Sequence, residues 1–112
     1  MATFVRRTDI PLDGARTLPR DYFISPAIFG EEREKIFYRN WLCVGREEQI
    51  ANTGDYFLVN TGTESVIVVR DQSGAVRAFH NTCRHRGTRL CEEHQGQFSE
   101  TIQCPYHSWT YG

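Results

Sequence analysis

The sequence predicts a mostly β fold, an antiparallel sandwich or small barrel, preceded by one α-helix. Two patterns carry that reading. Between residues 55 and 81, short runs rich in Val, Ile, Phe and Tyr alternate with turn residues. Ahead of them, Ser25-Pro26 opens a stretch whose apolar residues recur at helical spacing. Size sets the bound: 112 residues, 39% of them hydrophobic, suffice for one small domain.

The elements follow in order. Residues 1–24 lack periodicity, contain Pro11 and Pro19, and are expected to form an arm that packs on something else. Ser25 suits an N-cap and Pro26 the first helical position. The helix is expected from Ala27 to about Asn40, with Phe29, Ile36, Phe37 and Trp41 on one apolar face and Glu31, Glu32, Arg33 and Lys35 solvated. Strands are expected over Trp41–Gly45, Asp55–Asn60, Ser65–Arg70 and Ala75–Asn81. Thr53-Gly54, Thr61-Gly62 and Asp71-Gln72-Ser73-Gly74 supply the turns. Two short strands, Thr101–Gln103 and Trp109–Tyr111, complete the set. The chain thus divides into an arm and helix, 1–40, and a β domain, 41–112.

Composition excludes several classes. A formal net charge of −1 points to neither nucleic acid nor an anionic membrane as partner. No apolar run approaches the ~20 residues that span a bilayer. Met1 to Pro11 carries Arg6 and Arg7 without an apolar stretch behind them, so it is not a secretory signal. The expected setting is a reducing, cytoplasmic one in which thiols stay free.

Two boxes carry the chemistry. Cys83-Arg84-His85 is C-x-H and Cys104-Pro105-Tyr106-His107 is C-x-x-H. A structural zinc site usually groups Cys with Cys and His with His. Here each half-site is mixed, which suits a binuclear [2Fe–2S] cluster with two thiolates on one iron and two imidazoles on the other. Such a cluster is neutral when oxidised, whereas four thiolates would leave it at minus two. It therefore accepts an electron more readily. Mononuclear zinc remains the alternative.

Asn81-Thr82-Cys83-Arg84-His85-Arg86-Gly87, with Cys104-Pro105-Tyr106-His107-Ser108-Trp109-Thr110-Tyr111, resembles the Rieske signature of α subunits of aromatic-ring-hydroxylating type oxygenases. The resemblance runs from about Leu18 to Gly112. It implies a Rieske-type sandwich and assigns Cys83, His85, Cys104 and His107 as ligands of a [2Fe–2S] cluster. It further implies an electron-relay role. A reductase or ferredoxin donates, a mononuclear Fe(II) in a separate catalytic domain accepts, and the full-length subunit forms a homo-oligomer. That iron needs two His and a carboxylate. Only His80 and His94 remain here and cannot make such a site, so the chain is expected to be the front part of a subunit, with the Rieske sheet continuing past Gly112.

The sequence departs from the family pattern in two places. The 18 residues between His85 and Cys104 exceed the commonest spacing and read as a loop insertion, and Ser108 stands where Gly is commoner. Respiratory Rieske proteins resemble one another in a second Cys in each box, closing a disulfide. Thr88 and Tyr106 occupy those positions here, and Trp109 replaces a Ser that donates to the cluster. Fewer donors imply a lower reduction potential. A stand-alone Rieske ferredoxin is the rival reading of the function.

Other residues are weighed singly. Cys43 is expected to be a small buried residue, and Cys91 to be incidental. Arg84 and Arg86 suit an acidic redox partner or ordinary loop ion pairs. Trp109 is expected to pack under the cluster, Pro105 to shape the second loop so that N–H groups face sulfur, His80 to pack at a strand edge, and His94 to lie in an exposed loop.

Overall fold

In the computed structural model the described residues are 14 and 16–112, so nearly all of the expected N-terminal arm lies outside them. Compact units meet at Arg39/Asn40. In the first, a short helix α1 (Asp21–Ile24) precedes α2 (Pro26–Glu32). The expected start is borne out: Pro26 opens α2, and the Ser25 hydroxyl accepts the Ile28 N–H at 3.4 Å. The expected α-helix to Asn40 is corrected. Past Glu32 the chain widens into a π-helical turn, Arg33–Phe37, and then leaves the helix. Phe29, Ile36 and Phe37 mark the expected apolar face, yet each is more than a third exposed. Lys35 pairs with Glu31 at 2.6 Å across the solvated face.

The second unit holds an antiparallel sheet of order β3-β2-β1-β4. Its strands are β1 (Asp55–Thr61), β2 (Glu64–Arg70), β3 (Val76–His80) and β4 (Gln95–Gln97). A two-stranded hairpin, β5 (Ile102–Gln103) with β6 (Thr110–Tyr111), completes the unit. Register sorts the side chains by period two. Tyr56 opposite Val69 and Leu58 opposite Ile67 bury one face together with Cys91, and Leu90, Phe98 and Ile102 pack on it. Phe57 opposite Val68 and Val59 opposite Val66 build the other face, closed by Ile50 from a 3₁₀ turn at Glu47–Ile50. Arg70 ties this turn to the sheet, donating to the Ile50 and Glu47 carbonyls and to Gly74 in the β2–β3 turn.

Four expectations change here. Trp41–Gly45 is not a strand. Trp41 is fully exposed, and Cys43, expected to be buried, is exposed as well. Strand propensity is realised only where the chain finds a pairing partner, and this segment joins neither sheet. The segment between the boxes is no plain insertion, since Gln95–Gln97 forms β4 and pairs with Asp55–Phe57. It escaped detection because Gln-Gly-Gln has no apolar alternation. Gly96 leaves room for the Tyr56 ring, whose atoms would stand 2.9 Å from an added Cβ. Finally, Cys91 is a core residue, 7% exposed, rather than an incidental one. Among the described residues no helix is long and apolar enough to cross a membrane.

Candidate metal centre

The two boxes fold into matched loops. In the first, the Cys83 N–H donates to the Thr88 carbonyl at 2.8 Å, and the Cys83 carbonyl accepts the Gly87 N–H at 2.9 Å. In the second, the Cys104 N–H donates to the Trp109 carbonyl at 2.8 Å, and the Cys104 carbonyl accepts the Ser108 N–H at 3.0 Å. Each loop therefore closes from its Cys to the fourth and fifth residues beyond. The fourth residue turns the chain back through the left-handed region, with φ 76° at Gly87 and 60° at Ser108. Ser108, which departs from the family pattern, sits at a backbone position that favours Gly, the counterpart of Gly87 in the first loop. The loops differ in where the His falls, second after Cys83 and third after Cys104.

This closure sorts the four side chains by depth. Cys83 and Cys104 are each 2% exposed. His85 and His107 are exposed, with ring centroids 4.9 Å apart and edge to face. The Cys104 side chain is among the groups that hold the Cys83 thiol below its ordinary pKa. The sheet supplies the anchor. The Cys83 loop follows β3, and buried Asn81 fastens it. The Asn81 N–H donates to the Ser65 carbonyl at 2.8 Å. Its side-chain amide donates to Ser65 Oγ and the Cys91 carbonyl and accepts the Leu90 and Cys91 N–H groups. The Cys104 loop spans β5 and β6.

Tyr111, which sequence reasoning left unassigned, joins the two loops. Its hydroxyl lies 3.1 Å from Cys83 Sγ and 3.0 Å from the Arg84 backbone nitrogen. Arg84 N–H can only donate, so Tyr111 Oη accepts it and keeps its own proton for sulfur. That hydrogen bond holds the Cys83 thiol below its ordinary pKa, helped by the backbone N–H groups of His85 and Arg86, while burial opposes them. The same bond pushes the Tyr111 hydroxyl up. The expected loss of a donor at Trp109 is thus offset by a donor two residues on. In the first loop the backbone N–H groups that face sulfur are those of His85 and Arg86.

Trp109 does not lie buried. It is 48% exposed, and its indole stacks on His85 at 4.9 Å with planes 6° apart. Tyr106 leans on His107 at 3.8 Å. His80 is exposed rather than packed and stands 3.7 Å from Glu64. The His94 side chain is exposed as expected, while its carbonyl accepts the Leu58 N–H. Arg84 and Arg86 lie exposed beside His85, joined by Arg89.

The donor set fits a binuclear cluster better than a single ion. Among the described residues, no three His, Cys, Asp or Glu side chains are grouped so as to hold one metal ion. Tetrahedral zinc would gather four donors around a single centre. A [2Fe–2S] cluster asks for only two protein donors per iron, with sulfide supplying the rest. Adjacent buried thiols and an exposed imidazole pair meet that demand.

Comparison with known proteins agrees. Residues 40–112 match the family described as the Rieske [2Fe-2S] domain. The glycine betaine monooxygenase oxygenase subunit of Chromohalobacter salexigens is 43% identical over 98 residues, 88% of this chain and 22% of that protein. The 2-halobenzoate 1,2-dioxygenase large subunit of Burkholderia cepacia is 41% identical, over 90% of this chain and 22% of its own length. Naphthalene 1,2-dioxygenase from Rhodococcus sp., bound to indole in its crystal, superposes with a TM-score of 0.75 at 38% identity, covering 80% of this chain and 20% of that one. The chain spans about a fifth of the length of these relatives.

Proposed function

Because the chain belongs to the Rieske [2Fe-2S] domain family, we propose that it is the electron-transfer part of a Rieske oxygenase α subunit. It takes single electrons from a reductase or ferredoxin and passes them to a mononuclear Fe(II) that activates O₂ for hydroxylation or dioxygenation. No residue of this chain is assigned to that second iron, and no substrate is assigned. Residues 41–112 are the cluster-bearing domain, and 1–40, the arm and helix, precede it in the chain. The whole subunit works as a homo-oligomer in the cytoplasm, where thiols stay reduced.

The carrying observation is the sorting of donors by the matched loops, buried thiols together and exposed imidazoles in contact. Cys83 and Cys104 would hold the inner iron, and His85 and His107 the outer one. When bound, the cluster supplies one-electron redox chemistry near neutral charge. The chain's own residues do the rest. The Asn81 amide holds the first loop on the sheet, and the Tyr111 hydroxyl lowers the proton affinity of Cys83. Exposure of both imidazoles leaves the outer side open to a partner. The relatives named above are a monooxygenase subunit and two dioxygenases, which favours an oxygenase over a stand-alone carrier.

Anaerobic preparation tests the assignment. Two irons and two sulfides per chain, with the visible absorption of an iron–sulfur protein, are expected, and Cys83→Ser should abolish both. Cys43→Ser and Cys91→Ala should keep them. One zinc per chain and no visible band would sink the reading.

A further inference from the structure

We infer that Trp109 is a positioning residue that fixes the plane of the His85 imidazole and so couples the first ligand loop to the second. The inference rests on the cluster assignment proposed above. Among the described residues, neither ligand-candidate imidazole makes a side-chain hydrogen bond that would set its rotation. His107 is supported within its own loop by the adjacent Tyr106, at 3.8 Å and 43°. His85 has no such neighbour in its own loop. Its face is covered by the indole of Trp109, at 4.9 Å and 6°. A parallel stack resists rotation about the Cβ–Cγ bond, because turning the ring drives its edge into the indole.

Trp109 is itself anchored. Its carbonyl accepts the Cys104 N–H at 2.8 Å, the bond that closes the second loop. One residue is thus tied by its backbone to the Cys of one box and by its ring to the His of the other. Among the described residues the cysteines are free, so no disulfide joins the loops. Tyr111 holds the sulfur side of the first loop and Trp109 the imidazole side. Orientation of the ring governs how its nitrogen lone pair meets a metal, so ring rotation is read in the metal–nitrogen coupling.

The test uses the cluster-loaded protein and compares Trp109→Ala, Trp109→Phe and Trp109→Leu with wild type. Pulsed electron paramagnetic resonance of the reduced form reads the two imidazole nitrogens, and absorbance follows cluster loss on warming. Trp109→Ala should shift one of the two nitrogen couplings and broaden the spread of g values. Cluster loss should be about tenfold faster, the factor an aromatic contact of this kind supports. Trp109→Phe, which keeps a stacking face, should restore most of both. Tyr106→Ala should leave the His85 coupling unchanged. If Trp109→Ala fails to load, Trp109→Leu against Trp109→Phe decides, since Leu keeps bulk without a ring. Wild-type couplings in Trp109→Ala, or equal behaviour of the Phe and Leu variants, would overturn the inference while leaving the ligand assignment standing. A wild-type protein without a [2Fe–2S] spectrum would instead take down the assignment and the inference together.

Discussion

Tyr111 Oη accepts the Arg84 N–H, and it donates its own proton to Cys83 Sγ when that sulfur is a thiolate, which can only accept. A donor to sulfur stabilises the reduced form, which carries one more negative charge. Tyr111→Phe should therefore lower the midpoint potential, by about 60 mV if the bond is worth a tenfold shift in a one-electron equilibrium. Protein-film voltammetry measures this, and an unchanged midpoint would show that the hydroxyl does not act on the cluster. A second residue-scale contrast lies at the matched left-handed positions. Ser108, at φ 60°, carries the cost of that conformation, about 1–2 kcal/mol for a residue with a Cβ. Ser108→Gly removes it but frees the unfolded chain, an offset of about 0.4–1 kcal/mol. A net gain of about 0.5 kcal/mol is expected. Gly87→Ala should do the opposite. Nothing lies within 4 Å of an added Cβ at Gly87, so the cost is conformational alone. Denaturant unfolding of the two loaded variants should move in opposite directions.

At the scale of elements, the β2–β3 turn is organised by one carboxylate. Asp71 Oδ1 accepts the Ser73 and Ala75 N–H groups and the Ser73 hydroxyl, and Oδ2 accepts Arg77 Nε at 2.8 Å. Arg77 first, then Ser73 and the backbone, hold this carboxyl well below the usual carboxylate range. A depressed pKa in the folded state means that the unfolded chain binds the proton more readily. The contribution is then complete above about pH 4, the ordinary value, and fades as pH falls below it. Asp71→Asn should lower stability at neutral pH and flatten the acid limb of a stability-against-pH curve. An acid limb of unchanged slope would contradict this. The same turn matters to the site, because β3 leads from it directly into Asn81 and the first loop. Gly54 shows how closely the elements meet. At φ 85° its N–H donates to the Arg70 carbonyl, and an added Cβ would stand 2.1 Å from the Phe98 carbonyl oxygen.

Across the whole molecule the formal charge is near zero, yet residues 80–91, which carry His85, include the exposed Arg84, Arg86 and Arg89 and no acid. Among the described residues none of the three guanidinium groups forms an ion pair. Unpaired cations at the rim of a redox site favour an acidic electron donor and act mainly on encounter. Arg86→Glu should raise the donor concentration for half-maximal reduction by about tenfold at low ionic strength, with the gap closing as salt screens the charges. Stopped-flow reduction at two salt concentrations measures it. A salt-independent effect would assign Arg86 to loop structure instead.

The two Cys/His boxes, the helix start at Ser25-Pro26 and the three long strands were legible in the chain itself. Each depends on neighbours in sequence: Cys and His two or three residues apart, a cap followed by Pro, alternation of apolar side chains. Tertiary structure decided what depends on distant partners. Trp41–Gly45 has strand composition but pairs with no strand of either sheet, and Trp41 and Cys43 are exposed. Gln95–Gln97 has no strand signal, yet the open edge of β1 recruits its backbone. Cys91 is buried because Asn81, ten residues earlier, binds its N–H and carbonyl. Tyr111 and Trp109 could be read only as aromatic residues beside the second box until the hairpin brought one to Cys83 Sγ and the other onto His85. Local chemistry names the atoms that can bind iron, and only long-range pairing sets which of them sit inside, which face out, and what holds them there.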